Sequence, residues 1–173
     1  MISRLICITL TLAAVIPLPL WAADIYLVRH AEKETDGSKD PALTATGSKR
    51  ATDLAVLLKS ANIERILSSD FVRTRETAAP TAHMVGVEID IYDPKQLDAL
   101  AKQLLMLRDN TLVVGHSNTT PDLVDLMGGE GGPPIVEEWE YDRVYMVQTE
   151  AGRVTRTILL HLPPSKVPPD SSE

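Results

Sequence analysis

The chain has 173 residues, a formal charge of −7 and a sequence pI near 5.1. That acidic balance argues against nucleic acid or an anionic membrane surface as partner. Its one cysteine, Cys7, lies near the start, so no disulfide is expected to hold the fold.

The first 23 residues read as a secretory signal peptide. Arg4 supplies the positive start, Leu5 to Leu20 is an apolar stretch, and Leu20-Trp21-Ala22-Ala23 offers small residues for cleavage. About 16 residues with prolines near the end is short for a membrane span, which needs roughly 20. No stable membrane anchor is therefore expected once the leader is cut, and the expected location is periplasmic or secreted. The rest divides into one domain over residues 24–162 and a Pro/Ser tail over 163–173, with too little to bury to be ordered. The leader carries Arg4 and no acid, so its loss makes the charge more negative still.

After the leader, Asp24 to His30 reads as a buried strand that ends on Arg29-His30 rather than on a turn. Glu32 to Asp40 is a polar loop with Asp36-Gly37. From Thr46, taken as N-cap, Ala51, Leu54, Ala55 and Leu58 recur at helical spacing. Ile63 to Ser68 is a second strand, and Ser69-Asp70 opens a helix to about Val85 that contains Pro80. Val87 to Ile91 alternates as a strand. Asp93-Pro94 has the form of a helix start, and Leu97, Leu100, Leu104 and Leu105 share one face of the helix that follows.

Thr111 to Gly115 is a strand ending on His116, and Pro121 to Met127 a short helix. Gly128 to Pro134 is a Gly/Pro link with no Gly-Lys-Ser/Thr after it, so it is not a phosphate loop. Arg143–Gln148 and Val154–His161 form a hairpin around Thr149-Glu150-Ala151-Gly152. Strands alternating with helices, then a closing hairpin, predict a three-layer α/β sandwich with helices on both faces of a largely parallel sheet.

In open α/β sheets ligands bind beyond the carboxyl ends of the strands. Two strands that end on His30 and His116 therefore point to two imidazoles at one pocket. A single histidine there could equally close its strand on a nearby carbonyl; the pair beside Arg29 favours chemistry. Arg73 falls early in a helix that follows a strand, where free N–H groups and a planar guanidinium suit phosphate. Its bland alternative is a surface ion pair, which is also the expectation for Arg75.

With those residues in place, the chain resembles the histidine phosphatase superfamily, the phosphoglycerate-mutase-like fold, in its short single-domain form. Arg29-His30 looks like that family's signature. Leu43-Thr44-Ala45-Thr46-Gly47 is similar to its Leu-Thr-x-x-Gly, Ser69 to Ala78 to its Ser-x-x-x-Arg-x-x-x-Thr-Ala, and Gly115-His116-Ser117-Asn118 to its second histidine block. The resemblance implies a phosphoric monoester hydrolase. His30 would be the nucleophile that becomes phosphohistidine, with Arg29, Arg73 and His116 holding the phosphoryl oxygens and Ser117 and Asn118 lining the substrate pocket. Two arginines and a histidine can neutralise an equatorial phosphoryl charge without metal or cofactor, and none is expected. His30 must then be neutral, with its other nitrogen donating to a backbone carbonyl.

Two departures stand out. Ala31-Glu32-Lys33 replaces the family's Gly-Glu/Gln-Thr, and Ser117 follows His116 where some members carry an aspartate. The proton donor is thus open between Asp93, also a helix cap, and Glu32, also a loop residue. His83, His161 and the run Glu137-Glu138-Trp139-Glu140 are read as structural or solvated. The partner expected is a small phosphorylated substrate, recognised by the loop 31–42 and the segment 127–140. The alternatives are a phosphate-binding module with little turnover and a protein-phosphohistidine phosphatase, the latter opposed by the leader.

Overall fold

A computed structural model describes residues 21–163. Residues 1–20 of the proposed leader (1–23) and 164–173 of the tail (163–173) lie outside the described residues. Six strands form one sheet in the order β3-β2-β4-β1-β5-β6. These are β1 (Ala22–Arg29), β2 (Arg65–Ser69), β3 (Ile89–Tyr92), β4 (Thr111–Gly115), β5 (Arg143–Glu150) and β6 (Arg153–His161). The first four run parallel; β5 is antiparallel to β1, and β6, antiparallel to β5, forms the edge. The α/β sandwich expected from the alternation is the observed architecture.

Side chains alternate across the sheet and so build two cores. On one face Ile25, Leu27, Leu67, Val113 and Val147 pack with α3 (Leu97–Met106) and α4 (Thr119–Leu126) through Leu100, Leu104, Leu123 and Val124. On the other, Tyr26, Val28, Ile66, Leu112 and Val114 pack with α1 (Ala45–Leu57) and α2 (Val72–Val85) through Leu54 and Ala78. β1 and β4 are central and covered on both faces, which is why they read as continuous apolar runs.

Several boundaries differ from those expected, each for a local reason. β1 starts at Ala22, because Ala22 and Ala23 pair with Glu150 and Thr149 of a β5 that also runs longer than its apolar pattern. The cap of α1 is Thr44, not Thr46: its hydroxyl accepts from Gly47 N at 3.0 Å. α2 starts at Val72, not at Ser69, which is still strand; it runs unbroken past Pro80 and ends at Gly86 in the left-handed region (φ 72°). Asp93 does not cap α3, whose first residue is Leu97. Its Oδ1 accepts from Lys95 N at 2.9 Å in a turn that precedes the helix. α4 starts two residues earlier than Pro121 suggested, at Thr119. At the other end Pro163 is held, its carbonyl accepting from Arg50 Nη1 at 3.0 Å.

Candidate active site

Register brings the two histidines together. Arg29 of β1 pairs with Gly115 of β4, so His30 and His116 leave the sheet side by side, and His30 N donates to Gly115 O at 2.9 Å. Their rings lie 5.4 Å apart, centroid to centroid, at 69°. Gly115 is required here: a Cβ would crowd the hydroxyls of Tyr92, Thr119 and Thr120 at 2.9 to 3.1 Å. A cavity of about 560 Å³ opens over this edge, lined by His30, His116, Arg73, Lys33, Lys95 and Glu137, with Ser117 and Asn118 in its wall. The expected His30, Arg73, His116, Ser117 and Asn118 thus share one pocket.

His30 is buried, and its Nδ1 lies 2.8 Å from Ala31 O. A carbonyl can only accept, so the Nδ1 position carries the proton and Nε2 keeps its lone pair. Burial above all, then the charges of Arg29 and Arg73 and the neighbouring His116, push the His30 pKa down to about 3. For His116 burial, then Arg73, Arg29 and Lys33, lower it to about 4 against a partial offset from Asp40. Both imidazoles are therefore neutral at pH 7, the state a nitrogen nucleophile requires.

Arg73 is poised rather than solvated. Its guanidinium sits 4.3 Å over the Phe71 ring, and Nη1 reaches Asp40 Oδ1 at 3.3 Å. Asp40 also accepts from Val72 N, the first amide of α2, at 2.9 Å. One carboxylate from the loop after β1 thus fixes both the helix end and its arginine. Arg73 Nε is buried without an acceptor among the described residues, as is Arg29 Nε. Donors left over in this way suit an oxyanion.

Arg29 spends two donors on backbone, Nη1 donating to Glu140 O at 2.9 Å and Nη2 to Glu137 O at 2.8 Å, which leaves Nε for the phosphoryl contact that the resemblance implies. The Tyr141 ring lies 3.9 Å from its guanidinium carbon. Arg29 therefore lashes the segment 136–140 over the site and holds a positive charge beside His30.

Neither expected proton donor is in the cavity wall. Glu32 is buried, and its carboxylate meets Arg50 Nε and Nη2 at 3.0 to 3.1 Å beneath α1. Asp93 is exposed in its turn, although the adjacent Pro94 and Lys95 do line the cavity. The acid that lines it is Glu137, from a run read as a solvated edge. No sequence spacing marks it, since it arrives through the clamp by Arg29, over a hundred residues away. Glu140 of the same run is also buried, bonding Arg143 Nε at 2.5 Å and Val136 N at 2.9 Å. The remaining histidines stay outside: His83 is exposed, and His161 pairs with Asp142 Oδ2 at 2.8 Å. Arg75 makes its ion pair with Asp70.

The sequence pattern of the histidine phosphatase superfamily (branch 1) matches residues 25–94, which carry the first histidine and the Arg73 block. Over those residues the chain is similar to that superfamily. Over 77 residues it is 40% identical to the "Probable phosphoglycerate mutase GpmB" of Escherichia fergusonii. That match takes in 41% of this chain and 35% of the relative, so the chain spans about a third of the curated proteins it resembles. Among solved structures, the protein histidine phosphatase SixA complexed with tungstate superposes with a TM-score of 0.65 at 20% identity, over 80% of this chain and 96% of that one. A mycobacterial glucosyl-3-phosphoglycerate phosphatase does so at 0.60 and 14%, over 83% and 100%. Those two likenesses establish the histidine phosphatase fold beyond the matched residues, through His116 to the closing hairpin.

Proposed function

We propose that this chain is a histidine phosphatase and hydrolyses small phosphomonoesters outside the cytoplasm through a phosphohistidine on His30. The observation that carries the reading is His30 itself: neutral, pinned at Nδ1 by Ala31 O, and facing a cavity that also holds His116 and Arg73. Pinning one nitrogen leaves the other as the nucleophile. Nε2 attacks phosphorus, the bond to the ester oxygen breaks, and Arg73 balances charge on the equatorial oxygens. Glu137 protonates the departing oxygen and, as carboxylate, then takes a proton from the water that cleaves the N–P bond.

The leader is the support for export, giving a periplasmic or secreted enzyme. Among the described residues no helix is long and apolar enough to cross a membrane. For the leaving group, the cavity shares Pro94 and Lys95 with an adjoining groove of about 530 Å³ that also carries Asp98, Asp122 and Asp125. Specificity thus draws on residues 94–95 as well as on Lys33 and Glu137.

The test is hydrolysis of p-nitrophenyl phosphate in excess chelator. Turnover by the wild type, abolished in His30→Ala, is expected. Binding of inorganic phosphate with no turnover would instead favour a binding module. A second reading, a protein-phosphohistidine phosphatase, draws on the fold shared with SixA. Preference for a phosphohistidine peptide over p-nitrophenyl phosphate, together with a cytoplasmic location, would favour it.

A further inference from the structure

The second histidine has a partner to which the proposed cycle gives no role. Ser69, fully buried at the end of β2, places Oγ 2.9 Å from His116 Nε2 and 3.1 Å from Thr74 Oγ1. Thr74, also fully buried, lies 2.7 Å from Ser69 O and 2.9 Å from Phe71 O. Both of those oxygens are carbonyls and can only accept, so the single Thr74 hydroxyl proton belongs to them. Turned toward Ser69 instead, it would leave Thr74 Oγ1 facing two carbonyl oxygens with no proton between, a costly arrangement where water is excluded. Two hydroxyl oxygens 3.1 Å apart need a proton between them, and with the Thr74 proton spent on the carbonyls it is the Ser69 proton that goes to Thr74 Oγ1 rather than to His116. What remains on Ser69 Oγ is a lone pair, and the proton shared with His116 must come from the imidazole.

We infer that Ser69 is the positioning residue of the second histidine: it holds His116 as the Nε2–H tautomer, so that Nδ1 is the only nitrogen at which His116 can take up a proton. The consequence bears on the proposed reaction, on whose reading this functional part rests. The two histidines are held in opposite tautomers, Nδ1–H at His30 and Nε2–H at His116. His116 cannot donate to a phosphoryl oxygen from Nδ1 as a neutral ring; it does so only as imidazolium. Burial opposes that proton most, then Arg73, Arg29 and Lys33, while Asp40 favours it, with the His30 and Phe71 rings packed alongside. A bound oxyanion offsets the three cations and accepts the new proton, which shifts the balance toward imidazolium.

The test reads the ring nitrogens directly. Two-bond ¹H–¹⁵N correlation spectra of the full chain at pH 7, without phosphate, distinguish the tautomers of each histidine. His116 as Nε2–H supports the inference; Nδ1–H, or an even mixture, overturns it. His30 serves as internal standard, and no turnover is needed, so this result stands apart from the phosphatase assay. In Ser69→Ala the His116 preference should be lost while the His30 signal keeps its Nδ1–H form, and Ser69→Thr should restore it. Hydrolysis of p-nitrophenyl phosphate should fall at least tenfold in Ser69→Ala with a changed pH profile, and recover in Ser69→Thr. A Ser69→Ala protein with His116 still Nε2–H and an unchanged profile would contradict the assignment.

Discussion

His30 and His116 keep their rings neutral because burial first, then the nearby Arg29 and Arg73, oppose a further charge, and this has a cost away from neutrality. Their folded pKa values, about 3 and about 4, both lie below the ordinary 6.5. Between those limits the unfolded chain binds protons that the folded one does not, so stability is intact above pH 6.5 and falls as pH drops toward 4. Urea midpoints at pH 7.5 and pH 5 should show a larger loss for the wild type than for His30→Gln. Equal losses would mean that His30 is not held neutral.

Glu137 is the residue whose role the leaving group tests. Glu137→Gln should cost roughly 10²–10⁴-fold on alkyl phosphates, the usual scale of general acid catalysis. It should leave the initial burst of p-nitrophenolate from p-nitrophenyl phosphate, whose phenolate leaves unaided, nearly unchanged, while slowing the later turnover in which Glu137 activates water. A burst slowed as much as alkyl-phosphate cleavage would point to a binding role instead. His30, Arg73 and His116 were legible in the sequence because each sits at a strand end or first helical turn, positions that local pattern discloses. Glu137, Ser69 and the clamp made by Arg29 were not, because they depend on hydrogen bonds between distant segments.

At the scale of elements, two backbone positions carry sharp expectations. Gly47, in the first turn of α1, lies against the chain after His30, where a Cβ would overlap the carbonyl oxygen of Glu32. Backbone cannot swing aside as a side chain does, so Gly47→Ala should cost ~1–3 kcal/mol, read as a lower urea midpoint. An unchanged midpoint would refute that close approach. The β5–β6 turn has positive φ at both Ala151 (49°) and Gly152 (78°). That geometry favours Asn-Gly, so Ala151→Asn should stabilise the hairpin by ~1 kcal/mol, raising the same midpoint. A fall would contradict it. Here too the element types were readable from periodicity, while their ends were not: α3 waits for Leu97 because Asp93 spends its carboxylate on a turn.

For the molecule as a whole, an acidic chain of charge −7 gathers Lys33, Arg73 and Lys95 around one cavity at the carboxyl edge of its sheet. The fold was foreseeable from the alternation of strands and helices. The convergence of the site was foreseeable only because β1 and β4, distant in the chain, each end on a histidine; their pairing in register is a tertiary fact. In intact cells the mature protein should be open to trypsin once the outer envelope is permeabilised; full protection there would contradict export. The decisive measurement on the chemistry is to mix the protein with ³²P-labelled phosphomonoester, quench in alkali and map the label. The account predicts an alkali-stable, acid-labile phosphoryl group on His30, absent from His30→Ala. Turnover with no label on His30, or label on another residue, would contradict it.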